Sequence, residues 1–230
     1  MKKRIFKWEN AVPKILIVVI VYLCYLFVPL TRQPVKIGAT YMTMNNTFYT
    51  VINDEIRKRT DANGDVLKTL DPALSIKKQC QQIETFIRED FDVIVINPVS
   101  GNSKMLNSAL KKARACGIKI IVVDSQLKET KNVDCTIVSD NYNAGVLCAK
   151  DMMKNMSEAK IVLLKNWNAL SVKDRYQGFS DTIKGKPNYR IVEQVETLGQ
   201  TEIAMPKMQE TIRKGIDFNV VMALDDQSAI

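Results

Sequence analysis

The chain has 230 residues, 46% of them hydrophobic and 25% charged, with ordinary glycine and proline, which excludes a mainly disordered chain and leaves room for one large or two small globular domains. The net charge of +8 is concentrated at one end: Lys2, Lys3, Arg4, Lys7 and Lys14 stand against Glu9 alone, so the remainder is only mildly basic and forms no nucleic-acid patch. With no histidine, Cys–His and Ser–His–Asp nucleophile systems are excluded, and five cysteines without CxxC or CxxH spacing predict no structural metal.

Residues 1–14 read as a basic cytoplasmic segment under the positive-inside rule. Ile15 to Leu30 follows as sixteen residues without a charge, short for a span of about 20 residues but extendable by Ala11–Pro13 and flanking snorkelling. A cleaved signal peptide and an uncleaved signal anchor both fit. Bulky Tyr, Leu, Phe and Val where small cleavage-site residues belong favour an anchor over residues 15–31. Cys24 raises a lipoprotein, but Leu23 stands before it rather than a small residue.

From Val35 onward strands and helices alternate, as in a doubly wound parallel sheet. Lys36–Met42 is a predicted strand, Phe48–Asn63 a helix closed by Gly64, Asp65–Leu70 a strand and Ser75–Glu89 a helix with Ile76, Cys80, Ile83 and Ile87 at core spacing. Phe91–Asn97 is nearly all apolar, the mark of a strand covered on both faces. Lys104–Cys116 reads as a helix, Lys119–Asp124 and Cys135–Ser139 as strands. A second series follows: helix Tyr142–Met156, strand Lys160–Leu164, helix Ser171–Lys184, strand Tyr189–Thr197, helix Met205–Lys214 and strand Asn219–Leu224. Asp226 opens a helix and the sequence stops there, so the last domain is expected to be incomplete.

The strands end in amides and carboxylates: Asn45 and Asn46, Asp71, Asn97, Asp124, Asp140 and Asn141, Asp225 and Asp226. Such residues cap the next helix, which accounts well for Asp140, Asp226 and Asp71. It accounts less well for Asn97, which precedes Pro98, or for Asp124, which precedes a loop. In a parallel sheet these ends share one edge, where they would form a polar rim able to bind a polyhydroxylated ligand. Phe48 and Tyr49, next to the two asparagines, add rings suited to the C–H faces of a sugar.

IGATYMTMNNTFY, DVIVINPVS, IIVVDSQ, IVSDNYNAG, DRYQGF and FNVVMALDDQSAI stand in an order and spacing that resembles the ribose-binding-protein type of type 1 periplasmic binding proteins, relatives of the ligand-binding part of LacI-type repressors. The resemblance covers residues 36–230. It implies two Rossmann-like α/β lobes, at 35–139 and an incomplete 140–230, joined by a hinge and closing over a sugar. It also implies ligand-binding roles residue by residue. Asn46 is the first-loop amide, and Phe48 and Tyr49 are the aromatics that sandwich the sugar ring. Asn97 and Asp124 follow the third and fourth strands, Arg175 is the second-lobe guanidinium and Asp225 the carboxylate opposite. Ser125 stands where ribose binders carry Arg and Gly199 where an aromatic is usual, so the sugar itself is left open; Trp167 could supply a ring or simply pack at the lobe edge. A Cys135–Cys148 disulfide is compatible with an extracytoplasmic site, reduced buried thiols being the default.

The expected function is a membrane-tethered, extracytoplasmic solute-binding protein, at the cell surface or in the periplasm, that hands a sugar to an ABC permease. A tethered sensor that presents the sugar to a histidine kinase or chemoreceptor is the alternative. A LacI-type regulator lacks the apolar span and needs a helix-turn-helix. An enzyme is not expected, for want of a nucleophile–base pair, a phosphate loop or a metal cluster, and no cofactor or nucleic-acid partner is expected.

Overall fold

The computed structural model describes residues 8–27 and 32–229, with side chains in the first helix described only for Pro13 and residues 15–23. The chain divides into two units, 1–34 and 35–230. The first holds α1, Trp8–Phe27, with Pro13 inside it and Ile15 to Leu23 exposed. No helix among the described residues is long and apolar enough to cross a membrane. Residues 1–7 and 28–31, which carry most of the basic segment and the end of the expected span, lie outside the described residues.

The second unit carries β1 Lys36–Thr40, α2 Thr47–Asn63, β2 Val66–Leu70, α3 Ile76–Arg88, β3 Val93–Ile96, α4 Lys104–Ala115, β4 Lys119–Val123 and β5 Cys135–Ile137. It continues with α5 Asn141–Asn155, β6 Ala159–Lys165, α6 Leu170–Ile183, β7 Tyr189–Glu196, α7 Thr201–Arg213, β8 Val220–Ala223 and α8 Asp226–Ala229. Two all-parallel sheets result, in the orders β2-β1-β3-β4-β5 and β7-β6-β8. The helix expected from Met205 begins instead at Thr201, with Pro206 inside it. Proline is common at a helix start, which makes it read as a beginning; here only the bond to the Glu202 carbonyl is given up.

The first sheet is buried by its own composition. Ile94, Ile96, Ile120 and Val122 on the central strands are fully buried and pack with Ile83, Phe86, Leu106 and Leu110 from α3 and α4. Each such aliphatic side chain contributes about 1.5–3 kcal/mol of burial. A second cluster bridges the sheets: Tyr41, Met42 and Val99 meet Leu163, Ala169, Val172 and Leu224.

Register then brings the strand ends together. Thr40 lies beside Ile96, and Ile96 beside Val122, so the loops after β1, β3 and β4 leave from one edge. In the second sheet Leu164 lies beside Ala223 and Lys165 beside Glu196, so the loops after β6, β7 and β8 also leave together. Helices α5 and α6 cross at van der Waals distance because both carry a glycine at the contact. A Cβ on Gly145 would lie 1.9 Å from the Arg175 carbonyl oxygen, and one on Gly178 would lie 2.0 Å from that of Tyr142. That close approach fixes where α6 presents Arg175.

Candidate functional site

A cavity of about 420 Å³ opens where the two sets of strand ends face each other. From the first sheet it is lined by Asn46, Phe48, Tyr49 and Asp124, and from the second by Arg175, Gly199 and Asp225 among others. Six of the seven residues expected from the sequence therefore share it.

Asn46 serves two purposes. Its Oδ1 accepts from the Phe48 backbone N–H at 2.9 Å and so caps α2, while the residue lines the cavity. Phe48 is 52% exposed and Tyr49 only 7%. Their rings touch edge to face, with centroids 5.5 Å apart, and Tyr49 stacks on Tyr41 at 5.9 Å. The expected sandwich is thus corrected: two neighbours in edge contact form one aromatic wall and leave no slot for a sugar ring between them.

Asp124 follows β4 with a φ of 64°, a left-handed backbone that costs a non-glycine residue about 1–3 kcal/mol and is seen at functional sites. Its Oδ2 accepts from the Tyr49 hydroxyl at 3.3 Å and from Asn97 Nδ2 at 3.1 Å. Burial raises the pKa of its carboxyl, against the opposing charge of Arg175 and these two hydrogen bonds. Burial, then the Asp124 charge, holds the Tyr49 phenol well above its ordinary value.

Asn97 is the exception among the expected residues. It is fully buried and does not line the cavity. Its Oδ1 accepts from the Met42 backbone N–H at 3.1 Å, and its Nδ2 donates to the Val123 carbonyl at 3.2 Å as well as to Asp124. β3 lies between β1 and β4, so neighbours cover its end. Asn97 ties three strand ends together and orients Asp124 from beneath.

On the opposite wall Arg175 donates through Nε to Asn141 Oδ1 at 2.9 Å and through Nη1 to the Leu224 carbonyl at 2.7 Å. Asp225 Oδ1 accepts from the Ser228 N–H at 2.8 Å, so the cap of α8 is Asp225, not the expected Asp226. Asp140 caps α5 as expected, through Asn143 N–H at 3.0 Å. Asp71 closes a turn at Ala73, and α3 is capped by Ser75 instead.

Part of the lining is not expected from the sequence. Asn166, Leu198 and Gln200 line the cavity from the ends of β6 and β7. They obey the same strand-end rule as the others, but the residues directly after the expected strands, Lys165 and Leu198, are neither amides nor carboxylates. Trp167 does not line the cavity; it packs edge-on against Tyr176 at 5.2 Å with Lys165 over its ring at 4.6 Å. Ser125 is fully buried and its Oγ accepts from the Ser171 N–H at 3.3 Å, between the sheets. Cys135 and Cys148 are free and, against the expectation for reduced thiols, exposed.

Comparison with known proteins adds to this geometry. A family model described as periplasmic binding protein domain matches residues 37–230. The ribose import binding protein RbsB of Bacillus subtilis is 24% identical over 201 residues, covering 86% of this chain and 64% of the relative. A D-apiose import binding protein of Actinobacillus succinogenes is 24% identical over 189 residues, covering 81% and 60%. The chain thus spans less than two thirds of the length of these relatives, which are binding proteins of import systems and not enzymes. Among solved structures, the Caulobacter myo-inositol binding protein bound to myo-inositol superposes with a TM-score of 0.77 at 21% identity, over 88% of this chain and 69% of that one. A galactofuranose binding protein reaches 0.79 at 21% identity, over 86% and 69%. At such identities the superpositions establish the fold.

Proposed function

Since this chain belongs to the periplasmic binding protein family, we propose that it binds a sugar or related polyol in the cavity and hands it to an ABC importer outside the cytoplasm. The observation that carries this reading is the convergence of Asn46, Phe48, Tyr49 and Asp124 from one sheet with Arg175 and Asp225 from the other on one cavity. Hydroxyls both donate and accept. Asp124 and Asp225 supply acceptors, Arg175 a planar set of donors, and Phe48 an exposed apolar face.

In this reading residues 35–139 and 140–230 act as two lobes. A ligand that touches both walls favours the closed arrangement, because only there are all the contacts made. Asn97 takes the part of a positioning residue for Asp124 rather than a ligand contact. The uncharged run from Ile15 to Leu30, with basic residues before it, supports a membrane anchor on the cytoplasmic side of the binding unit. Extraction of membranes with carbonate checks this: an anchored chain stays in the pellet, and release into the supernatant contradicts the anchor.

A thermal-shift screen of the full chain against pentoses, hexoses, inositols and oligosaccharides tests the binding role. Ligand at a hundredfold excess over its Kd stabilises by about 2.7 kcal/mol, which raises Tm by roughly 5–10 °C. A panel without a single stabilising sugar contradicts the proposal.

A further inference from the structure

We propose that Asn141 is a positioning residue for the site: it fixes the Arg175 guanidinium toward the cavity and ties it to the link between the two sheets. This rests on the sugar-site reading above. Residues 138–140 form that link. They lead from β5 of the first sheet into α5, which packs with β6 and α6 of the second through Ala149, Ile161 and Phe179.

Asn141 is 4% exposed and stands in the first turn of α5. Both ends of its amide are used. Nδ2 donates at 3.1 Å to the Ser139 carbonyl, which also accepts from the Asn141 backbone N–H at 2.8 Å. Oδ1 accepts from Arg175 Nε at 2.9 Å. The partners dictate this orientation, since a carbonyl only accepts and a guanidinium only donates. One side chain therefore holds the link and the guanidinium together. Aspartate has the same shape but lacks the donor, and its charge would pair with the guanidinium; alanine offers neither group.

Arg175 lines the cavity, and the hydrogen bonds to Asn141 and to the Leu224 carbonyl use two of its five N–H groups. Both acceptors are neutral, and Arg175 makes no ion pair among the described residues, so its charge stays available. That charge acts on Asp124 and Tyr49 of the opposite wall. Without Asn141, the bond to Leu224 alone would leave the guanidinium free to turn about it. A long side chain that is already held gives up less freedom when it grips a ligand.

The test is a double-mutant cycle on the full chain, titrated calorimetrically with D-ribose, D-xylose, D-galactose and myo-inositol. Asn141→Ala is expected to weaken binding fivefold or more, and to cost less than twofold when added to Arg175→Ala, because residues in contact do not act additively. Unchanged affinity in Asn141→Ala, or the same loss in both backgrounds, overturns the inference and leaves the sugar reading standing. No binding of any of the four by a folded, unaltered chain overturns both. A second readout needs no sugar: by nuclear magnetic resonance, the Arg175 Nε–H should exchange with solvent at least tenfold faster in Asn141→Ala than in the unaltered chain. Equal exchange overturns the inference. Should Arg175→Ala bind too weakly to titrate, the exchange comparison decides alone. Should Asn141→Ala fail to fold, Asn141→Ser takes its place, keeping a polar side chain at the start of α5 that is too short to reach Nε.

Discussion

Asp124 concentrates the cost and use of the site in one side chain. Its backbone is left-handed, its carboxyl is half-buried, and two donors, one from α2 and one from the end of β3, hold it. Burial raises its folded pKa above the ordinary 3.8, so the folded chain keeps a proton that the unfolded chain has lost. That stabilising contribution is complete below pH 3.8 and is lost as pH rises through the raised folded value. Asp124→Asn removes this dependence. Above that window the variant should melt higher than the unaltered chain, and the gap should shrink toward pH 3.8. It should also bind sugar at least tenfold more weakly, since a charged hydrogen bond is worth about 1.5–3 kcal/mol. Parallel melting curves across the range would show that Asp124 is not under electrostatic strain. Tyr41 offers a contrast: its hydroxyl is buried without a partner among the described residues, and its pKa is pushed up to about 12 by burial. Tyr41→Phe should stabilise by roughly 1 kcal/mol, a Tm rise of about 2–4 °C. A fall in Tm would mean that the hydroxyl has a partner after all.

Among the elements, the α5–α6 pair positions the second wall. Gly145 and Gly178 allow the two backbones to touch, and Arg175 sits on α6 one turn before Gly178. Gly178→Ala places a methyl inside the Tyr142 carbonyl and should destabilise by about 3 kcal/mol or more, beyond ordinary overpacking. Thermal unfolding should record a Tm loss of roughly 6–12 °C. A loss under 2 °C would show that the helices part freely. The elements were largely legible from the sequence, because short apolar runs alternate with amphipathic ones and end in Asn, Asp or Gly. What was not legible is tertiary. Asn46 and Asn97 are the same residue type at equivalent strand ends, yet one lines the cavity and the other lies beneath it. Strand order makes that difference, and no local pattern encodes it. The hydrogen bonds that fix Arg175 run to Asn141 and Leu224, 34 and 49 residues away in sequence.

For the whole binding unit, the arrangement seen is one in which the two walls already touch. Asn45 Nδ2 donates to Glu202 at 2.8 Å, Gln126 Nε2 to Asp174 at 2.5 Å, and the Gly101 N–H to the Asn168 carbonyl at 3.2 Å. In the two-lobe reading proposed above, ligand and these contacts favour the same closed state, so breaking one should weaken binding without touching the cavity. Asp174→Ala, away from the lining, is expected to lower affinity severalfold by calorimetry; unchanged affinity would mean that the contact plays no part in closure. The six resembling motifs make the cavity foreseeable. The central claim is that both walls grip one sugar. Calorimetric titration of the full chain and of Arg175→Ala, with the best ligand from the thermal screen, tests it most directly. A two-walled clamp predicts affinity at least tenfold weaker in the variant, about 1.4 kcal/mol. Equal affinity would remove Arg175 from the site and contradict the clamp.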